Sequence, residues 1–217
     1  DQGLPEGDLS NVGFVLNGHI GSGTLPNSVT TQLYLEAENT RVKYLEEWPD
    51  VSAVSGRVFM DAPDLDVEVT TATTLGGSVT ARGARVSLRE AAGGTMLHLD
   101  GQLAGDTSEG LAYLQETPLA DMVSHALDEW EASGPAETDL TLDMLLGDSE
   151  ATPGVSLTSQ LQGASLSLTD IDLTFSDLTG QLVFDTDKGL SAETLRARIF
   201  DGPLTASLRS EKGEDSF

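Results

Sequence analysis

Leu65-Asp66-Val67-Glu68-Val69-Thr70 alternates apolar with acidic or hydroxyl residues at strict period two, and its reading decides the fold class. Successive side chains of a β-strand point to opposite faces, so this stretch has one apolar face and one wet face. The pattern recurs in Leu97-His98-Leu99-Asp100-Gly101-Gln102-Leu103, in Leu140-Thr141-Leu142-Asp143-Met144 and in Leu204-Thr205-Ala206-Ser207-Leu208. Strands of this kind in series predict a mainly β protein whose sheet carries one continuous apolar surface. What covers that surface is the functional question.

Working outward, strands are expected over 54–62, 65–73, 78–88 and 96–104. Pro63-Asp64, Gly76-Gly77 and Gly93-Gly94 separate them as turns, which predicts an antiparallel meander. Upstream, a short strand over 12–16 and another over 29–37 precede Trp48-Pro49, where proline should stop regular pairing. The glycines around Gly18-His19-Ile20-Gly21-Ser22-Gly23 lack the strand-to-helix setting of a phosphate cradle and read as a turn. Downstream, a strand over 137–146 and a polar linker lead into a second series at 155–161, 164–169, 171–175, 178–185, 190–199 and 203–210.

Between the two series the period changes. Thr107 or Ser108 can cap a helix, and Leu111, Leu114, Leu119, Met122, Leu127 and Trp130 follow at three-to-four spacing. One amphipathic helical segment is therefore expected around 108–132, split by Pro118 and ended by Gly134-Pro135. Its apolar stripe must bury against the end or the open face of the sheet. Val54-Ser55-Gly56-Arg57-Val58-Phe59 resembles Leu178-Thr179-Gly180-Gln181-Leu182-Val183-Phe184, so strand series 29–105 and 154–210 read as loose repeats of one unit. Segment 107–133 joins them within a single piece spanning 1–217.

Composition narrows the function. Aromatics are only 5% of the chain, which weighs against the stacking platforms used for sugars and bases. The net charge of −25 repels nucleic acid and anionic membrane surfaces. The acids are dispersed along solvent faces, as general solvation requires, and a marine or halophilic host is expected. No cysteine is present, so there is neither a disulfide framework nor a thiolate nucleophile. No run of about twenty apolar residues could span a bilayer. Asp1 reads as the start of an excised piece, with any targeting or anchoring segment outside it.

The residues hold no recognisable catalytic constellation. His19, His98 and His125 have no partner at metal-ligand spacing, and no nucleophile elbow, P-loop or zincin motif occurs. The pairs Asp64/Asp66, Asp128/Glu129 and Asp170/Asp172 read as solvated surface groups, because glycosidase chemistry needs carboxylates facing across a cleft. Asp185-Thr186-Asp187-Lys188-Gly189 lacks the remaining ligand spacing of a calcium loop and reads as a hairpin turn. Trp48 is expected to cap the strand layer as a rim plug, and the four methionines to fill gaps. The chain is expected to be non-enzymatic, with no cofactor and no metal.

The order of several short motifs is informative together. Trp48-Pro49, Val54-Ser-Gly-Arg-Val-Phe59, Gly101-Gln-Leu-Ala-Gly105 and Tyr113-Leu-Gln-Glu-Thr-Pro-Leu119 are followed by Leu178–Phe184, Gly189-Leu-Ser-Ala192 and Phe200-Asp-Gly-Pro203. Over roughly 29–210 this succession resembles the C-terminal region of a member of the AsmA-like family of Gram-negative envelope proteins. Where the family usually shows glycine at or near Asp201, this chain has Asp, and its acidity is unusual. The resemblance implies a long curved antiparallel sheet, taco-like, extending through the periplasm from an inner-membrane anchor outside this piece. Its apolar groove would shield phospholipid acyl chains in transit between inner and outer membrane and so support the outer-membrane barrier.

Alternation supplies the candidate lining. In the first series it comprises Val58, Met60, Leu65, Val67, Val69 and Val79, then Leu97, Leu99 and Leu103. Leu140 and Leu142 follow, and the second series adds Leu157, Leu161, Leu166, Leu182 and Leu195. Leu114, Met122 and Trp130 are the candidate helix plug. Period two leaves open which face is concave, and it fits a closed, non-enzymatic β-sandwich or solenoid equally well. A sheet cut from a longer one could also pair its exposed edges into a dimer.

Overall fold

The computed structural model describes residues 6–18, 29–43, 48–75, 79–117, 120, 127–146, 152–200 and 202–209. The strands are β1 (Glu6–Gly18), β2 (Val29–Val42), β3 (Val51–Asp61), β4 (Asp64–Thr74), β5 (Val79–Ala91) and β6 (Gly94–Asp106). Helix α1 (Thr107–Glu116) follows, and then β7 (Trp130–Ser133) and β8 (Pro135–Leu146). β9 (Gly154–Leu168), β10 (Leu173–Asp185), β11 (Gly189–Ile199) and β12 (Gly202–Arg209) complete the chain. All twelve strands belong to one open antiparallel sheet in sequence order, with β7 set beside β9 in line with β8. The expected mainly β, meandering sheet is thus the observed one, and both strand series lie in it, joined through the β6–β8 pairing of Leu99 with Leu142.

The expected split at Pro118 is observed: Thr117 already has extended backbone one residue before it, and Ala120 is helical again. The end of the expected helical segment differs, with a turn at 127–129. Trp130 is not helical: it opens β7, pairing with Leu168 while Glu131 pairs with Ser167. Several expected strands are also halves of longer ones. Segments 155–161 and 164–169 form β9 around a bulge at Gly163 (φ +75), and 171–175 and 178–185 join in β10 around Asp177 (φ +52). β1 extends well beyond the expected 12–16. Met122, His19 and His125 lie outside the described residues.

The bulges explain the shape. A bulge inserts an extra residue, breaks the ladder locally and bends its strand. Register shifts fall side by side at Asn39 of β2, Ala53 of β3 and Gly83 of β5, each with positive φ. A second set clusters at Gly134, Gly163 and Asp177. Gly134, with φ +107, separates β7 from β8, and a Cβ there would come within 2.8 Å of the Ala164 Cα.

Wrapping follows from one contact. Trp48 packs against the cluster of Val155 and Phe184. Val155 shares a row across the sheet with Val58 of β3, five strand steps away, or about 24 Å when flat. Val51, where β3 starts, lies a further 23 Å or so along the strand. Three residues from Trp48 to Val51 span at most about 11 Å, and the indole adds only a few ångströms. A flat sheet cannot make this contact, so the sheet is wrapped with its apolar face inside.

Candidate functional site: an open apolar face

Cross-strand pairing converts alternation into continuous rows. One row runs Leu33, Met60, Leu65, Leu88, Leu97, Met144 from β2 to β8. The next runs Leu35, Val58, Val67, Val86, Leu99, Leu142, Val155. A third carries Val69 opposite Ala84 and Gly101 opposite Leu140, and continues through Leu157 and Phe184 to Leu190. Leu103, Leu161, Leu182 and Leu195 extend the same face toward the other strand ends, opposite Thr138, Ala136, Ser159 and Ala206 respectively. Leu166 stands opposite Ala132 and Phe175. The sixteen candidate residues therefore share one face, apart from Val79, whose backbone pairs with Thr74 and whose side chain lies outside the described residues.

This face is not sealed. Among these candidates only Leu161 is buried, and the others described are half-buried. No large side chain is fully buried among the described residues. The accessible surface is 13953 Å² for 22.8 kDa, against about 9,600 Å² for a compact monomer of that mass. A closed sandwich would sit near the lower figure, with a second sheet over the first. The observed architecture is a single sheet.

One part of the face is covered. Tyr113 and Leu114 of α1 pack with Trp48 against Val155 and Phe184, beside Leu140, Leu142, Leu157 and Leu190. Trp48, expected at the rim, is instead brought onto the inner face by the wrapped sheet. α1 is held at both ends. Asp106 caps it, its carboxylate accepting from the Ser108 amide at 3.0 Å, the Ser108 hydroxyl at 2.7 Å and the Gly134 amide at 2.9 Å. These donors hold the Asp106 carboxyl below its ordinary range, with the Ser108 amide contributing most. Farther along, Gln115 Nε2 donates to the Leu127 and Trp130 carbonyls at 2.6 and 3.1 Å. Of the candidate plug residues, Leu114 thus lies on the apolar face, and pairing with Leu168 sets Trp130 on the strand beside it.

The outer face is charged and ordered. Glu36, Arg57, Glu68, Arg85 and Asp100 stand opposite one another in a row of alternating sign across β2 to β6. Arg57 and Arg85 reach Glu68 at 3.2 and 4.0 Å. Tyr34 and Asn11 donate to Glu36 and lower its pKa, Tyr34 contributing most. His98 Nδ1 meets Asp143 at 2.7 Å and Nε2 meets Asp100 at 2.8 Å. Because these carboxylates sit on opposite ring nitrogens, they cannot converge on one ion, and no metal-holding cluster exists among the described residues. The Asp185 turn is the expected hairpin turn, its carboxylate accepting from the amides of Asp187 and Lys188.

Comparison with known proteins agrees with this geometry. Residues 1–216 match the model of the family described as YhdP protein. A curated relative, the intermembrane phospholipid transporter YhdP of Escherichia coli (strain K12), is 28% identical over 121 residues. That alignment covers 56% of this chain and 9% of the relative, so the chain aligns with less than a tenth of that protein's length. No solved structure matches.

Proposed function

The chain belongs to the YhdP family, and from that premise we propose that its apolar inner face shields phospholipid acyl chains as one segment of a longer bridge between the inner and outer membranes. The observation that carries this reading is the set of unbroken, half-buried aliphatic rows crossing the sheet without a covering layer. Covering a lipid tail is worth about 0.8 kcal/mol per buried CH₂. Aliphatic rows can supply that without a fixed hydrogen bond, so a tail is held and still slides. No reacting group is required, and the role is non-catalytic.

The same reading assigns the two strand series, 29–105 and 154–210, to repeated groove units. It assigns the candidate lining to tail contacts and α1 to a plug. The chain would act in the periplasm, with the inner-membrane anchor elsewhere in a longer protein and the passage of lipid supporting the outer-membrane barrier. Among the described residues no helix is long and apolar enough to cross a membrane. The outer edge of β1, with Leu9 55% and Phe14 62% exposed, is where a second copy of the isolated chain would add.

The test is lipid mass spectrometry on the purified chain, paired with Val67→Asp and Leu99→Asp. Bound phospholipid that drops several-fold in both variants, with the β circular dichroism preserved, supports the reading. Lipid-free protein, or uptake indifferent to both changes, refutes it.

A further inference from the structure

Turns at the two ends of the sheet differ in chemistry. Those at one end are small, polar or charged among the described residues: Ala62-Pro63, Ala92-Gly93 and Thr186-Asp187-Lys188. At the other end, the β9–β10 turn presents Ile171 at 61% exposure and the β11–β12 turn presents Phe200 at 86%. Among the described residues, Phe200 is the most exposed of the large hydrophobic side chains.

Phe200 is also held against its backbone preference. Ile199 pairs with Gly202, and Phe200, in the connection between them, has φ +47. Positive φ in a short hairpin is ordinarily supplied by Asn, Asp or Gly, and for a bulky residue it is an outlier. Intramolecular packing does not account for an aromatic ring that exposed. Its neighbour is placed alike: the two turns are separated by about two strand spacings, or roughly 10 Å. The pairing of Ser176 with Arg198 keeps their strand ends within a few residues of one level.

We propose that Ile171 and Phe200 are a two-pronged membrane anchor that dips the β9–β10 and β11–β12 turns into the interface of a lipid bilayer. Exposed Asp170 and Asp172 flank Ile171, and the chain carries a net charge of −25, so the surface it suits is zwitterionic. The contact is made by turn tips and is separate from the inner face, whatever that face holds.

The chain has no cysteine, so Asp170→Cys, beside Ile171, gives a single labelling position that keeps both prongs in place. With a polarity-sensitive fluorophore there, phosphatidylcholine–phosphatidylethanolamine vesicles should shift emission to the blue. The same label at Asp187→Cys, on a turn at the opposite end, should not respond. In flotation with unlabelled protein, Phe200→Ser should lower vesicle partitioning about tenfold and Ile171→Ser with Phe200→Ser by more. Vesicles rich in phosphatidylglycerol should bind less. Acyl-chain uptake by the isolated variants should be unchanged, which separates this contact from the groove. Flotation equal in variant and unaltered chain, or equal labels at both ends, would overturn the anchor. So would a concentration-dependent dimer that Phe200→Ser abolishes without any vesicle binding.

Discussion

Trp48 and Tyr113 meet with ring centroids 5.7 Å apart and planes tilted by 60°, although one lies in the β2–β3 connection and the other in α1. This contact ties the helix to a segment some sixty-five positions earlier, directly over the Val155–Phe184 cluster. Tilted aromatic pairs contribute about 0.5–1.5 kcal/mol beyond area burial. A double-mutant cycle of Trp48→Ala and Tyr113→Ala by urea denaturation should return a coupling in that range. Each single variant should also take up more lipid, since α1 then covers the apolar face less firmly. Additive losses with unaltered uptake would show that the aromatic contact does not hold the plug.

Asp106 joins three elements: it ends β6, caps α1 and accepts from Gly134 between β7 and β8. Loss of a capping side chain costs about 0.5–2 kcal/mol, so Asp106→Ala should destabilise by roughly that amount. The folded carboxyl is lowered relative to its unfolded value. Its contribution is therefore complete above the unfolded pKa of about 3.9 and is lost as pH falls through the folded pKa. The difference between the unaltered chain and Asp106→Ala should be constant near neutrality and shrink in acid. A gap that persists unchanged at the lowest accessible pH would contradict this.

What the sequence made legible was the periodicity. Leu65–Thr70 and Leu97–Leu103 show period two so cleanly that the strands, turns and apolar face follow from them. The complete rows were not legible, because Leu88, Val86 and Phe184 join them only through cross-strand register, which depends on bulges that single residues such as Ala53 and Asp177 do not announce. Trp130 illustrates the competing signal. Its spacing from Leu127 suits a helix, but pairing with Leu168 on the overhanging end of β9 outweighs local periodicity. Trp48 reached the inner face only through wrapping, a property of the whole sheet.

Two glycines should respond oppositely to alanine. Gly110 lies exposed within α1 with open space where a Cβ would stand, so Gly110→Ala should stabilise by up to about 1 kcal/mol through helix propensity. Gly134 has φ +107, and its Cβ would lie 2.8 Å from backbone at Ala164. Gly134→Ala should cost about 1–3 kcal/mol, from the backbone conformation alone, and more from the clash. Urea midpoints of the two variants decide the matter, and a tolerated Gly134→Ala would show that the β7–β8 break is not fixed by close approach to β9.

His98 gives the outer face a pH dependence of opposite sign to that of Asp106. Asp143 and Asp100 each accept from one of its ring nitrogens, an arrangement that needs both nitrogens protonated, and they raise its pKa, Asp143 contributing most. Ser87 stands across from it on β5, and Arg85 acts on Asp100 from the same strand. A raised folded pKa means that the stabilisation is complete below the unfolded value of about 6.5 and is lost as pH rises through the folded one. The ring is 42% exposed, so solvent screening keeps the effect small. Stability of the unaltered chain relative to His98→Gln should therefore fall as pH rises above about 6.5, and NMR titration of the ring should place its pKa above that of an exposed histidine. A ring that titrates at or below the ordinary value would show that the two carboxylates do not hold the imidazolium.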